Sequence, residues 1–122
     1  RDQVTLLPPV EDVEPLLRAS ELVVLPSLTE GLPLVLAEAM ATGRPSVATD
    51  CSAGVRMLSD DGRAVELVPR GDAAALAVAM AELMSDGAYR AALADRARAH
   101  AERYRLDVVL DQWQDLFAQV LR

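Results

Sequence analysis

Pro26-Ser27-Leu28-Thr29-Glu30-Gly31-Leu32-Pro33-Leu34-Val35-Leu36-Ala37-Glu38-Ala39-Met40-Ala41-Thr42-Gly43-Arg44-Pro45 is the stretch that decides how this 122-residue chain is read. The apolar run Leu22–Leu25 just before it reads as a strand and stops at Pro26, which cannot donate to a ladder. A short loop follows, and Pro33 opens a helix that Gly43 closes; proline at the first helical position and glycine just past the last turn are the usual punctuation. Between Leu32 and Ala41 the only charged side chain is Glu38. A helix so apolar is expected to be buried. A carboxylate on it then needs a partner, because an unpaired buried charge costs more than one residue's hydrophobic gain. Glu38 is therefore expected to meet either an arginine, Arg44 or Arg56, or a ligand.

On the N-terminal side of this stretch, Val4–Leu7 reads as a short buried strand halted by Pro8-Pro9. Glu11-Asp12 then start a helix over about Val13–Ala19, with Val13, Leu16, Leu17 and Ser20 on one face. Leu22–Leu25 shows no polar alternation, as expected when helices cover both faces of a sheet. On the C-terminal side, Ser46–Thr49 is a third strand ending at Asp50, and residues 51–59 form a loop with a helical turn at Ala53–Arg56. Asp60-Asp61-Gly62 is a turn, and Ala64–Val68 a fourth strand. Asp72 N-caps a long helix with Leu76, Met80, Leu83 and Met84 inward, broken at Asp86-Gly87. A second helix, Tyr89–Tyr104, turns Leu93 and alanines inward and Arg90, Asp95, Arg96, Arg98 and Arg103 largely outward. Asp107 caps a last helix with Val109, Leu110, Trp113, Leu116, Phe117 and Val120 on one stripe. Strand–helix alternation followed by three helices predicts an α/β domain: part of a Rossmann-like parallel sheet with flanking helices, closing in three α-helices.

Composition narrows the function classes. An apolar fraction of 52% is that of a chain with a core rather than a disordered one, and the length allows one domain. No run of eighteen apolar residues is present to span a membrane. A net charge of −7 argues against a nucleic-acid partner. It leaves room for peripheral membrane contact through regions outside the chain. Cys51 is the single cysteine, which excludes an internal disulfide and suggests a reducing, cytoplasmic setting. Cys51 and the single His100 make no metal-ligand cluster, and Cys51 reads as unreactive and His100 as solvent-facing. The chain begins at Arg1 rather than Met and reads as cut from something longer.

Ligands of open parallel sheets bind outside the carboxyl ends of the strands. Leu22–Leu25 delivers Glu30 to that edge and Ser46–Thr49 delivers Asp50. The helix opening at Pro33 points its N-terminus there, and its first free amides, around Leu34 and Val35, suit a phosphate. Gly31 allows close backbone approach. The combination suggests a phosphate-bearing ligand with hydroxyls for carboxylates to accept from, and a sugar nucleotide fits. A dinucleotide fits worse because the Gly-rich fingerprint is absent. Asp50 has a plainer reading as a strand-end turn residue, and Arg56 as a surface residue.

Pro26-Ser27, Glu30-Gly31, Pro33-Leu34, Glu38-Ala39-Met40-Ala41, Gly43, Pro45 and Val47-Ala48-Thr49-Asp50 together resemble the donor-binding signature of retaining GT-B glycosyltransferases of family 4. The two glutamates with seven residues between them are the hallmark, and the resemblance runs from about Val4 through Gly71-Asp72. It implies that Glu30 accepts from donor-sugar hydroxyls and steadies charge developing at the anomeric carbon. Gly31, Leu32, Pro33, Leu34 and Val35 would hold sugar and diphosphate, Glu38 would take the ribose hydroxyls, and Pro9 and Val10 would line the nucleobase. It further implies no cofactor and no metal, with a nucleotide-diphosphate sugar as the donor substrate. Two departures touch donor preference: Leu32 stands where relatives carry an aromatic, and Gly54-Val55-Arg56-Met57 lacks a glutamate many relatives have. Arg56 could then supply charge to the diphosphate. Residues 1–122 would be a partial C-terminal nucleotide-sugar-binding domain. Its strands would be strands three to six of the order 3-2-1-4-5-6, with Val4–Leu7 two absent strands away from Leu22–Leu25. The first βα units and the acceptor-binding N-terminal domain of the same chain would be absent, leaving the fragment inactive alone. The activity implied is retaining sugar transfer to a cell-envelope glycan, lipid or small-molecule acceptor, in the cytoplasm or at the inner face of the membrane. A non-catalytic nucleotide-sugar-binding or assembly module is the alternative, and an epimerase or phosphorylase on the same architecture a more distant one.

Overall fold

Three short parallel strands run in the order β1-β2-β3: β1 Val23–Leu25, β2 Ser46–Asp50 and β3 Glu66–Pro69. Val24 pairs with Val47 and Leu25 with Ala48, while Ala48 pairs with Leu67 and Thr49 with Val68. The computed structural model describes residues 3–121. The helices are α1 Glu14–Ala19, α2 Leu34–Ala41, α3 Ala53–Leu58, α4 Ala73–Ser85, α5 Gly87–Ala101 and α6 Leu106–Val120, with a 3-10 turn at Glu102–Tyr104.

Neighbouring residues of β2 point into different cores, as a period of two requires. Ala48 joins Leu36 and Met40 of α2, Val55 and Leu58 of α3 and Ala97 of α5. Val47 joins Val68 of β3, Ala79 and Leu83 of α4 and Leu93 of α5. Both faces of the central strand are thus covered, which is why its sequence shows no alternation. Each large apolar side chain fully removed from water contributes about 1.5–3 kcal/mol, so these two clusters hold the sheet between its helices. Three helix starts, those of α4, α5 and α3, carry side-chain caps. Asp72 accepts from the amide of Ala75 at 2.9 Å, Asp86 from Tyr89 at 2.8 Å and Ser52 from Val55 at 3.1 Å. Gly43 ends α2 at φ +68°, a conformation open to glycine at no steric cost.

Several expectations are corrected. Val4–Leu7 is not a strand: no described strand lies beside it, and Val4 and Leu6 are 74% and 91% exposed. A strand conformation without a partner leaves its N–H and C=O groups unpaired, so local apolarity is not enough. Pro33 is the N-cap of α2 rather than its first residue, and residues 53–58 form a full α3 rather than one turn. β3 begins two residues later than expected, at Glu66. Met84 is half exposed, whereas the Arg90 side chain is only 25% exposed. Arg90 turns inward to donate to the Leu83 and Met84 carbonyls at 2.8 and 3.1 Å, satisfying the last turn of α4. Asp107 sits in the first turn of α6 and pairs with Arg105, the N-cap. The apolar stripe of α6 is real, yet no described residue of that helix is buried. Among the described residues no helix is long and apolar enough to cross a membrane.

Candidate functional site

The carboxyl ends of β1 and β2 are tied together by side chains once the ladder stops. Thr49, only 3% exposed, donates its hydroxyl to the carbonyl of Ser27, beyond the end of β1. Ser27 Oγ in turn donates to Glu30 Oε1 at 2.6 Å, a charge-assisted bond that holds the carboxylate against the loop. On the other side of the loop, Gly54 in the first turn of α3 lies against Gly31. A Cβ added at Gly54 would fall 1.8 Å from the Gly31 carbonyl oxygen. Ser52 Oγ sits 3.5 Å from the same oxygen.

The loop then enters α2 through buried Pro33, whose carbonyl already accepts from Leu36 at 3.0 Å. The amides of Leu34 and Val35 find no acceptor among the described residues. The N-terminus of α2 therefore presents free donors, together with its positive dipole end, as expected from the sequence. Gly31, Leu32 and Leu34 are exposed and Val35 half-buried, so the Leu32 and Leu34 side chains stand in solvent beside these amides.

Asp50 and Arg56 pair with each other. Arg56 Nε and Nη2 donate to the two Asp50 oxygens at 2.7 and 2.9 Å, a bidentate pair across the rim of α3. That hydrogen bond is the main cause holding the Asp50 carboxyl below its ordinary range and raising the Arg56 guanidinium above its own. The pair lines a cavity of about 300 Å³ with Cys51, Ser52 and Ala53. Arg56 is thus already neutralised within this chain.

Glu38 requires a correction. α2 buries Leu36, Ala39 and Met40, but its opposite side is open, and Glu38 is exposed. The burial argument for a compulsory partner does not apply, and neither arginine pairs with it: Arg44 donates to the Ser20 carbonyl at 3.1 Å and Arg56 is held by Asp50. Instead Glu38 lines a cavity of about 220 Å³ with Asp12, Val13, Glu14 and Leu17 from the start of α1, and with Ala41 and Thr42. Glu30 is not among those lining residues. Pro9 and Val10 are exposed and do not line the Glu38 cavity.

A larger cavity, about 420 Å³, lies elsewhere, between α3, α5 and α6, and shares only Arg56 with the residues expected at the site. His100 Nε2 and Tyr104 Oη both approach the Met57 carbonyl at 3.2 Å, and Asp60 is bound to Arg63 at 2.8 Å. We place the site at the sheet edge, where donors are free. His100, expected to face solvent, is half-buried in this contact. Thr49 and Gly54 belong to quoted motifs but have no role assigned in the sequence, and Ser52 is not among the expected site residues. The one signal was Gly54, a poor helix former at the start of a helical turn. Among the described residues no three His, Cys, Asp or Glu side chains are grouped to hold a metal ion.

Comparison with known proteins fits this geometry. Residues 1–86 match the family described as glycosyl transferases group 1. The chain belongs to that family. An exopolysaccharide phosphotransferase of Streptomyces coelicolor is 36% identical over 121 residues, covering 98% of this chain and 13% of that protein. A D-inositol 3-phosphate glycosyltransferase of Corynebacterium urealyticum is 36% identical over 109 residues, covering 89% of this chain and 26% of the relative. Among solved structures, HepE of Anabaena in complex with UDP superposes with a TM-score of 0.73 at 30% identity, over 88% of this chain and 29% of that one. The chain thus spans about a third or less of these proteins. The α/β fold is that of GT-B glycosyltransferases, and the three-stranded sheet is as expected for its last three strands.

Proposed function

We propose that this group 1 glycosyltransferase chain binds the nucleotide-diphosphate sugar donor of a retaining, family 4 transfer reaction, with Glu30 as the catalytic carboxylate. The observation that carries the reading is the sheet edge itself: Glu30 is fixed by Ser27 beside an α2 N-terminus whose first amides are free. An anion seated on Leu34 and Val35 is a leaving diphosphate in this reading, stabilised without a metal by donors that need no reorganisation. The sugar then lies over Gly31 and Leu32, its hydroxyls within reach of Glu30, and the carboxylate opposes positive charge at the anomeric carbon as the bond to the diphosphate lengthens. Glu38, exposed along the same helix, takes the ribose hydroxyls, and Pro9 and Val10 the base. HepE, a structural relative, forms a complex with UDP, which supports a nucleotide as the ligand of this fold. The acceptor is a glycan, lipid or small molecule bound mainly by a further domain of the same protein, working in the cytoplasm or at the inner membrane face.

The test is Glu30→Gln in the full-length protein, assayed with UDP- and GDP-sugars with and without chelator. Loss of one charge that acts only in the transition state should lower kcat by about 10²–10³-fold, with donor affinity changed far less. Chelator should leave the wild-type rate unchanged, and the product should keep the donor's anomeric configuration. An inverted product, or a Glu30→Gln enzyme at wild-type rate, would refute the assignment. Tight donor binding with no transfer to any acceptor would make the protein a binding module.

A further inference from the structure

We propose that Ser27 and Thr49 are positioning residues that together fix the Glu30 carboxylate, Thr49 by anchoring the Ser27 backbone and Ser27 by binding Glu30 Oε1. The inference rests on the role given to Glu30 above and extends it to two residues of the quoted signature to which the sequence assigned no role.

The argument begins where β1 ends. The register pairs Leu25 with Ala48, and Pro26 then breaks β1 while β2 continues through Asp50. The carbonyl of Ser27 consequently lies past the last rung of the ladder and needs a donor from elsewhere. Thr49 supplies it from its side chain. It is the last buried residue of β2 and stands opposite Val68 of β3, so its position is set by the middle of the sheet rather than by the loop. Its hydroxyl has one proton to give. The Ser27 carbonyl is the nearer acceptor, while the Leu25 carbonyl at 3.4 Å is at the edge of hydrogen-bonding range. A hydroxyl rooted in the rigid sheet therefore fixes the backbone of an otherwise exposed loop.

Ser27 passes that constraint on. Its Oγ donates to Glu30 Oε1 at 2.6 Å, within the short range of bonds to a charged acceptor. No arginine is within ion-pair distance of Glu30 among the described residues. The serine is thus the side chain that selects the carboxylate's rotamer, and it leaves Oε2 free. A glutamate that must meet a sugar with sub-ångström accuracy gains from this arrangement, since a loop carboxylate otherwise samples several staggered states. Held in one, it is also spared the cost of ordering when donor binds.

The experiment uses the full-length protein and a double-mutant cycle. Ser27→Ala should lower kcat by about ten- to hundredfold, the scale of one hydrogen bond to a charged group, with donor Kd within about threefold of wild type. Ser27→Thr, which keeps the hydroxyl, should recover most of the rate. In a Glu30→Gln background, Ser27→Ala should cost little more, because its action passes through the carboxylate. Thr49→Val should reproduce the Ser27→Ala fall and Thr49→Ser should not. An equal loss from Ser27→Ala in both backgrounds would make Ser27 a general loop residue and overturn the proposal, as would a Ser27→Ala enzyme within about twofold of wild type while Glu30→Gln is slow. If Glu30→Gln itself runs at the wild-type rate, the role of Glu30 fails first, and the positioning proposal falls with it for a distinguishable reason. Should Thr49→Val not fold, the Ser27 cycle decides alone.

Discussion

Gly54→Ala probes the backbone contact that holds the other side of the Glu30 loop. The added Cβ would fall 1.8 Å from the Gly31 carbonyl oxygen, 2.9 Å from its carbon and 3.3 Å from Leu32 Cα. An ordinary carbon–oxygen contact is about 3.3 Å or longer, so loop and helix must separate by about 1.5 Å. Two effects oppose each other. Alanine gains roughly 0.5–1 kcal/mol over glycine in a helix. Overpacking costs about 1–3 kcal/mol where neighbours cannot yield. Here they cannot yield cheaply: the clash is with backbone, and α3 is anchored by Val55 and Leu58, 0% and 1% exposed. Loop displacement is therefore the easier response. We expect a net destabilisation of about 1–2 kcal/mol, read as a few degrees in Tm or a lowered urea midpoint. Moving Gly31 also drags Glu30, and a misplacement of about 1 Å in a catalytic group costs on the order of 10²-fold in rate. The assay is unfolding plus donor kinetics on the full-length protein. A variant as stable as wild type or more so, with unchanged kcat, would show that helix propensity wins and that the contact does not constrain the loop.

Three further outcomes follow from single contacts. Glu38 is exposed and unpaired, so Glu38→Ala should leave stability within about 0.5 kcal/mol while weakening nucleoside-diphosphate binding by about ten- to hundredfold, measured by melting and calorimetry. Tyr89 donates to the Glu66 carboxylate, and that bond first, then burial, then the Glu66 charge push its phenol up to about 12. Because the folded value lies above the unfolded value of about 10, the stabilisation is fully present below pH 10 and is lost as pH rises through about 12. The wild-type minus Tyr89→Phe tyrosinate absorbance should accordingly rise near pH 12, and a midpoint near 10 would remove the bond. Leu83, fully buried between α4 and the sheet, should cost about 2–5 kcal/mol on truncation to alanine, seen as a lower urea midpoint at unchanged slope.

What the sequence disclosed and what it concealed divide along the range of the forces involved. Local signals transferred well. Pro26 ends β1, Gly43 ends α2, and Asp72 caps α4, because each acts within a few residues of itself. The run Leu22–Leu25 and the run Val4–Leu7 look alike in sequence, yet only the first is a strand. The difference lies in β2, which offers the first run a partner and the second none. Arg90 reads as a surface arginine until α4 ends against it with open carbonyls. Glu38 was argued inward from the apolarity of its own helix, but whether a helix is covered on all sides depends on what packs there, and α1 covers only part of it.

The site shows the same division. Glu30, Gly31 and the α2 N-terminus are contiguous in sequence, and their spacing alone brought them forward. The groups that hold them, Thr49 and Gly54, come from β2 and α3, Thr49 22 residues beyond the Ser27 it anchors, and neither is marked by its own sequence neighbourhood. A threonine in a strand and a glycine in a turn are unremarkable until the loop they meet is in place. Their contribution is to geometry, and geometry is where a shared glutamate spacing becomes a reactive or an inert site: an exposed loop with the same motif and no Thr49 anchor would present the same carboxylate in many orientations. The stability of β2 is on this view part of the site, since softening the middle strand near Thr49 should slow transfer before it unfolds the protein.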